Sequence, residues 1–398
     1  MKILHIATDD KFVDHALPVF EKVYPEANDV FVFASKKPLK YVELNPDHIE
    51  TKQSNYFNKK PKLGKEAYQK YDLVIFHCLR CSTYPELANI PEDTPTIWLG
   101  WGVDYYVDFL HGIPLLLSDT QKIYNRLVGN KPKRQAAKLV KRLVGVLRPR
   151  SIKIRAVERI TIFSPVLPEE FGMVKNARTW RRFPEFASWN YGTLEDHLIK
   201  GFEGESVTGK AILIGNSATY TGNHAEVFSL LRELQVNDRQ VIAPLSYGDP
   251  KLAAILNAMG QTYFADNFEP LMDFMPIEDY IAIIKKCGYV IMNHVRQQAV
   301  GNIVIMLYLG ARVFLRQENP AYNFFRKSGI TISTVQELVE NPELLNEPLT
   351  QIEQAKNKAI VSDYWSRERA YERTRMLVEK AFAMKGLECP EVLPETYR

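Results

Sequence analysis

The sequence is poor in cysteine and holds no long uncharged run, and each shortage excludes something. Four cysteines, Cys78, Cys81, Cys287 and Cys389, are too few for a disulfide framework in 398 residues. A reducing, cytoplasmic compartment is expected. No window of about 18 residues escapes charge, so no membrane-spanning helix is expected. The apolar start, Met1 to Ala7, is too short for a signal peptide. Any membrane contact is therefore expected to be peripheral. The chain also lacks an Asp-x-Asp pair, which argues against a metal-held diphosphate. It has no Gly-x-Gly-x-x-Gly after a strand and no P-loop, which disfavours a nicotinamide enzyme and a P-loop nucleotide hydrolase. Cys78-Leu79-Arg80-Cys81 has no second Cys or His pair to complete a zinc site, so neither metal nor cofactor is expected.

What is present describes an ordinary folded chain. Hydrophobic residues make up 46% and charged residues 25%, enough to build sizeable cores. At 398 residues, two domains are the natural division. The net charge of +4 conceals an asymmetry. Between Lys122 and Arg159 stand 13 Lys or Arg and one acid, Glu158, so the rest of the chain is net negative. Within that segment Ala136, Leu139, Val140, Leu143, Val144 and Leu147 recur at helical spacing between cations. A basic amphipathic helix of this kind suits an anionic membrane surface. Few aromatics interrupt it, so nucleic acid is not the expected partner. The alternative is a surface helix packed on its own domain.

The apolar runs alternate between strand and helix length. Strands are predicted at Lys2–Ala7, Asp29–Ala34, Leu73–His77, Thr96–Leu99 and Ile160–Phe163 in the first half. In the second they are predicted at Ala211–Ile214, Gln240–Pro244, Tyr289–Asn293 and Arg312–Arg316. Helices fall between them, and Ser362–Lys385 reads as one long final helix. This pattern predicts two doubly wound α/β domains with parallel sheets, residues 1–205 and 206–362, with residues 363–398 packing back on the first. Ligands in such sheets sit beyond the carboxyl ends of the strands.

Three polar loops follow strands in the second half. Arg296-Gln297-Gln298 leads to Gly301-Asn302 at the start of an apolar helix. The free amides and dipole of a helix N-terminus attract phosphate, and Arg296 adds a fixed charge. Gly215-Asn216-Ser217 makes a similar strand-to-helix turn, and Tyr247 lies in the turn after the next strand. Glu318-Asn319 follows a third strand, where a carboxylate suits ribose or sugar hydroxyls. The plainer readings are helix caps, a turn and solvated side chains. In the first half a general base must be a carboxylate or histidine near a strand end, and Asp9, His15 and Asp104 are the candidates. Asp10 and Asp14 lie beside them.

With these residues in place, the chain resembles the bacterial TDP-N-acetylfucosamine:lipid II N-acetylfucosaminyltransferases of enterobacterial common antigen synthesis. The motifs are Ile212-Leu213-Ile214-Gly215-Asn216-Ser217, Asn223-His224, Pro244-Leu245-Ser246-Tyr247-Gly248, Tyr280, Arg296-Gln297-Gln298-Ala299-Val300-Gly301 and Glu318-Asn319-Pro320. Trp98, Trp101-Gly102-Val103-Asp104-Tyr105 and Asp9 add a thinner match in the first half. The resemblance implies a GT-B fold with two domains facing a cleft. It implies an inverting, metal-independent transfer of a deoxy-amino sugar, TDP-Fuc4NAc-like, from a nucleoside diphosphate to a glycan on undecaprenyl diphosphate, at the cytoplasmic face of the inner membrane. Gly215, Asn216, Ser217, Arg296, Gln297, Gln298, Gly301 and Glu318 become donor-site residues on that reading. The competing expectations are a same-fold transferase using another nucleotide sugar, in capsule or lipopolysaccharide synthesis, and a non-catalytic membrane-docking binding protein.

Overall fold

The computed structural model describes residues 1–34, 39, 42–43, 49–53, 61–129 and 151–390. Its contacts divide the described chain into two compact units. Residues 1–111, 151–197 and 365–390 form the first, and residues 112–129 and 198–364 the second. The basic amphipathic stretch expected around residues 136–148 lies outside the described residues.

The first unit is built on seven strands, β1 (Ile3–Thr8), β2 (Asn28–Ala34), β3 (Ile49–Gln53), β4 (Leu73–His77), β5 (Thr96–Leu99), β6 (Ile162–Ser164) and β7 (Glu185–Phe186). Their order is β3-β2-β1-β4-β5-β6-β7, with every pairing parallel. The second unit holds β8 (Ile212–Ile214), β9 (Val241–Pro244), β10 (Phe268–Leu271), β11 (Tyr289–Met292), β12 (Arg312–Leu315) and β13 (Ser333–Thr334). Their order is β10-β9-β8-β11-β12-β13, again all parallel. Both orders reverse direction once, between β1 and β4 and between β8 and β11, which is the doubly wound arrangement. The central strands β4, β8 and β11 are buried along their whole length, which is why they read as apolar runs, broken only by His77 at the end of β4.

Helices cover each sheet through narrow apolar stripes. In the second unit Val227, Phe228 and Leu231 of the helix His224–Glu233 pack on Ile212, Ile214 and Val241. Phe228 meets Phe264 and Phe268 edge-on at 5.7 and 5.5 Å. In the first unit the last helix, Arg367–Ala383, lays Leu377, Val378, Ala381 and Phe382 against Phe20 of the helix Phe12–Val23.

Two features differ from the sequence reading. The long final helix is two helices, Gln351–Tyr364 and Arg367–Ala383, broken where Ser366 Oγ accepts the Arg369 amide as an N-cap. Residues 112–129, expected with the first half, join the second unit. Glu226 accepts the amides of Asp119 and Thr120 at 2.8 and 2.9 Å and the Thr120 hydroxyl at 2.7 Å. These bonds cap the helix Ser118–Val128 with a residue more than a hundred positions away. Asn223 does the same for the preceding turn, accepting from the Leu117 amide at 2.9 Å and donating to the Leu115 carbonyl at 3.1 Å.

Candidate functional site

The switch point of the second sheet is flanked by the loops after β8 and β11. Gly215 ends β8 with φ +64°, and its amide donates to the Ile291 carbonyl at 3.0 Å. A Cβ at Gly215 would stand 2.3 Å from His224 Nε2, and one at Gly222 2.5 Å from His224 Cε1. The imidazole of His224 thus fills the space that side chains at both positions would need. Burial pushes His224 down to about 4 and holds the ring neutral at pH 7. Burial likewise drives His294, just after β11, well below its ordinary range, and His224 and Arg296 add to this.

The two loops are stitched together. Asn223, in the left-handed region at φ +48°, donates to the Asn293 carbonyl at 3.2 Å, and Asn293 donates back to the Asn223 carbonyl at 3.1 Å. Gln298 donates to Asn216 Oδ1 at 3.2 Å and to Thr219 Oγ1 at 2.9 Å. It accepts from Thr221 Oγ1 at 2.6 Å. Both polar atoms of the Gln298 carboxamide therefore bind the protein itself. Ser217 is buried beside Thr219, and Gln297 is buried with its carbonyl accepting from Arg296 at 2.7 Å.

Ala299 then takes the left-handed conformation, φ +60°, and turns the chain into the helix Val300–Leu309. A non-glycine residue held there costs roughly 1–2 kcal/mol, so the surroundings must impose it. The helical ladder opens with the Ile303 amide bonding to the Ala299 carbonyl, so the amides of Val300, Gly301 and Asn302 precede it. A Cβ at Gly301 would meet only Leu198 Cδ2, at an ordinary 3.4 Å. Protein packing does not require glycine at that position.

The loops after β9 and β12 complete the edge. Gly248, φ +123°, lies against Ala218, whose carbonyl would stand 2.3 Å from any Cβ there. Ala218 also donates to the Tyr247 carbonyl, and the Tyr247 side chain is 62% exposed. Arg316 donates to Asn293 Oδ1 at 3.3 Å and to Glu318 Oε1 at 2.7 Å, while Gln336 donates to Glu318 Oε2 at 2.8 Å. Partial burial raises Glu318, but the bond from Arg316 and the others outweigh it and hold the carboxyl below its usual range. Asn319 caps the helix Pro320–Lys327 through the Ala321 amide and donates to the His294 carbonyl. Its side chain is fully occupied in shaping the loop.

The structure therefore gathers Gly215, Asn216, Ser217, Tyr247, Arg296, Gln297, Gln298, Gly301, Asn302, Glu318 and Asn319 at the carboxyl edge of one sheet. The sequence reading missed the parts played by Asn223, Thr219, Thr221 and Arg316. Arg316 had a legible signal, a charge ending a strand beside two polar loops; the αL turn at Asn223 had none beyond its residue type.

The three base candidates lie in the first unit and differ from one another. Asp104 is buried, accepting from the Trp98 indole at 2.8 Å and from the Trp101 amide at 3.1 Å. Burial raises it to about 6 against those bonds. Asp9 accepts the Val42 amide at 3.2 Å. His15 lies 4.5 Å from the ring of His197, centroid to centroid, and burial, then His197 and Lys11, lower it to about 4. Among the described residues no group of three or more His, Cys, Asp or Glu is placed to hold a metal, and no helix is long and apolar enough to cross a membrane.

Comparison with known proteins adds two findings. Residues 195–369 match a family described as 4-alpha-L-fucosyltransferase glycosyl transferase group 56, somewhat under half of the chain. The fold matches solved structures at low identity. A glycosyltransferase from Rickettsia africae is 13% identical, with a TM-score of 0.61 over 96% of this chain and 98% of that one. The Anabaena protein HepE, solved with UDP, is 12% identical, with a TM-score of 0.61 over 95% and 99%. A UDP-N-acetylglucosamine 2-epimerase is 14% identical, with a TM-score of 0.50 over 99% and 99%. The fold is GT-B, shared by enzymes of more than one chemistry, so fold alone does not name a reaction. The family match supplies the class, glycosyl transfer.

Proposed function

We propose that this GT-B glycosyltransferase holds a nucleoside-diphosphate sugar, TDP-linked, at the carboxyl edge of its second sheet and passes a deoxy-amino sugar to a lipid-linked glycan with inversion. The observation that carries the reading is the junction of the β8 and β11 loops. It sets Arg296 and the first amides of the helix Val300–Leu309 at the switch point where ligands of doubly wound sheets bind. The family match covers this half of the chain.

On this reading the leaving diphosphate gains negative charge as the anomeric bond breaks. Arg296 and the amides of Val300, Gly301 and Asn302 offset that charge, so transfer proceeds without a metal. The absence of any Asp-x-Asp supports this. Tyr247 and the Arg316–Glu318 pair line the adjoining loops and contact nucleoside or sugar. The cations of residues 122–159 hold the enzyme to an anionic inner-membrane surface, where a lipid-linked acceptor is presented.

A thermal-shift series with dTDP, UDP, GDP and their sugars, with and without EDTA, tests this. A ligand at a hundred times its Kd stabilises the folded protein by about 2.7 kcal/mol. Stabilisation by dTDP is expected to exceed that by UDP and to survive EDTA. No shift with any nucleotide would refute the donor site; a shift abolished by EDTA would refute the metal-free step.

A further inference from the structure

The first unit carries a basic stretch with no acid in it. From Phe171 to Pro184 the sequence holds Lys175, Arg178, Arg181 and Arg182 and no Asp or Glu. All four cations are exposed. The stretch runs from the helix Pro168–Asn176 into the loop after it, and that loop is pinned at two points. The Trp180 indole donates to the Lys175 carbonyl at 2.9 Å, and the Arg181 amide donates to Glu158 Oε1 at 2.8 Å. Trp180 is half-buried, its ring 5.4 Å from that of Phe109 and 5.1 Å from that of Phe183, centroid to centroid. The Arg178 guanidinium carbon stands 5.4 Å from the indole centroid.

Cations crowd one another here. Lys385 is lowered by burial first and then by Arg182 and Arg159, against the weaker pull of Asp93 and Glu92. The acids nearest the stretch already have partners. Asp108 is engaged by Lys153 at 3.4 Å and by the Tyr84 hydroxyl at 2.7 Å, and Glu92 by Arg159 at 3.4 Å. Clustered like charges repel in the folded state, and an anionic partner relieves that repulsion. Two exposed apolar side chains flank the same ground. Val107 is 59% exposed and Ile152 38%. Lys153 joins their chain neighbours: its Nζ donates to the Asp108 carbonyl at 2.6 Å and lies 5.3 Å from the centroid of Phe109, the ring that Trp180 packs on.

Cations, an indole held at the surface and exposed aliphatic side chains match the layers of a bilayer interface, where phosphates lie over the boundary between headgroups and acyl chains. We propose that this face of the first unit docks on the anionic headgroups of a phospholipid membrane, Arg181 and Arg182 meeting the phosphates and Trp180, Val107 and Ile152 entering the boundary beneath them. This rests on the membrane contact proposed above for residues 122–159 and adds a second anchor, centred on residues 175–182. A nucleic acid would stack bases on open ring faces, whereas Trp180 is packed against Phe109 and Phe183 and approached by Arg178.

The assay is flotation of the full chain with vesicles of equal parts phosphatidylglycerol and phosphatidylcholine, and with vesicles of phosphatidylcholine alone. Combined Lys175→Gln, Arg181→Gln and Arg182→Gln are expected to weaken binding to the anionic vesicles by about a hundredfold, at about fivefold per cation. Tm stays at the wild-type value, since all three side chains are exposed. Val107→Ser is expected to weaken binding by about tenfold. Brominated lipid is expected to quench the wild type more than Trp180→Phe, and equal quenching overturns the insertion of the indole. A triple variant that binds as tightly as a wild type that itself binds overturns this anchor alone and leaves residues 122–159 as the docking segment. A Tm lowered in step with binding overturns it as well, the cations then serving the fold. Equal binding of the wild type to phosphatidylcholine alone overturns the charge complementarity, and tighter binding to an oligonucleotide than to the vesicles overturns the lipid partner. A wild type that leaves the anionic vesicles bare overturns this anchor together with the membrane reading beneath it.

Discussion

Replacing Gly301 with alanine separates a role in ligand binding from a role in folding, because the structure gives the two opposite signs. The added Cβ lies 3.4 Å from Leu198 Cδ2, ordinary contact with the end of a flexible side chain. Gly301 is the second residue of the helix Val300–Leu309, and its φ is not in the left-handed region. Alanine there lowers the entropy of the unfolded chain and raises helix propensity, a gain of about 0.5–1 kcal/mol. In a unit of this size that lifts Tm by roughly 1–4 °C. If a diphosphate lies over the helix N-terminus, the same methyl group enters the space between phosphate and backbone. At least one charge-assisted amide bond to the phosphate is then broken, which weakens binding by about 1.5–3 kcal/mol, or more than tenfold in Kd. Calorimetric melting of the free protein and titration with dTDP measure the two effects on one sample. A variant with raised Tm and weakened nucleotide binding is the expected result. An unchanged Kd would refute the placement of the diphosphate, and a lowered Tm would refute the packing argument.

Three further expectations follow from the same geometry. Gln298→Leu removes three hydrogen bonds between the loops after β8 and β11; about 1–3 kcal/mol of stability should go with them, and nucleotide binding with it, whereas wild-type binding would show that the stitch is dispensable. Glu226→Ala uncaps the helix Ser118–Val128, at about 1–3 kcal/mol; hydrogen exchange should rise in that helix while β8 stays protected, and uniform exchange across the unit would contradict the local role. His5 and His224, both lowered to about 4 by burial, contribute stability that is full above their ordinary 6.5 and is lost as pH falls through about 4. Each contributes on the order of 3 kcal/mol. Asp104, raised to about 6, works the other way, its contribution disappearing as pH rises through that value. With more histidines lowered than acids raised, the urea midpoint should fall between pH 7 and 4.5, and a flat profile would show that the imidazoles are not buried uncharged.

Much of the architecture was readable because a parallel sheet buried on both faces leaves little freedom in its strands. β4 and β5 are apolar but for His77 and Thr96 at their ends, and the bounds expected for them match the observed ones. The strands that escaped notice, β3, β7, β10 and β13, are short or at the edges of their sheets, where pairing rather than hydrophobic pattern defines them. The break between the last two helices was hidden because Tyr364-Trp365-Ser366 carries no glycine or proline; the Ser366 cap makes it.

Which loops are polar, which helix opens on Arg296-Gln297-Gln298 and which acids follow β1 could all be read along the chain. Local order suffices for those, since strand, loop and helix succeed each other within a few residues. Which of these side chains remain open was settled by the packed fold alone. Gln298 and Asn319 are occupied by the protein, and Asp104 is bonded at both oxygens by Trp98 and the Trp101 amide. A residue's type sets the hydrogen bonds it can make. Its partners, drawn from segments seventy or more positions away in sequence at Gln298 and Glu226, set how many are left for a substrate.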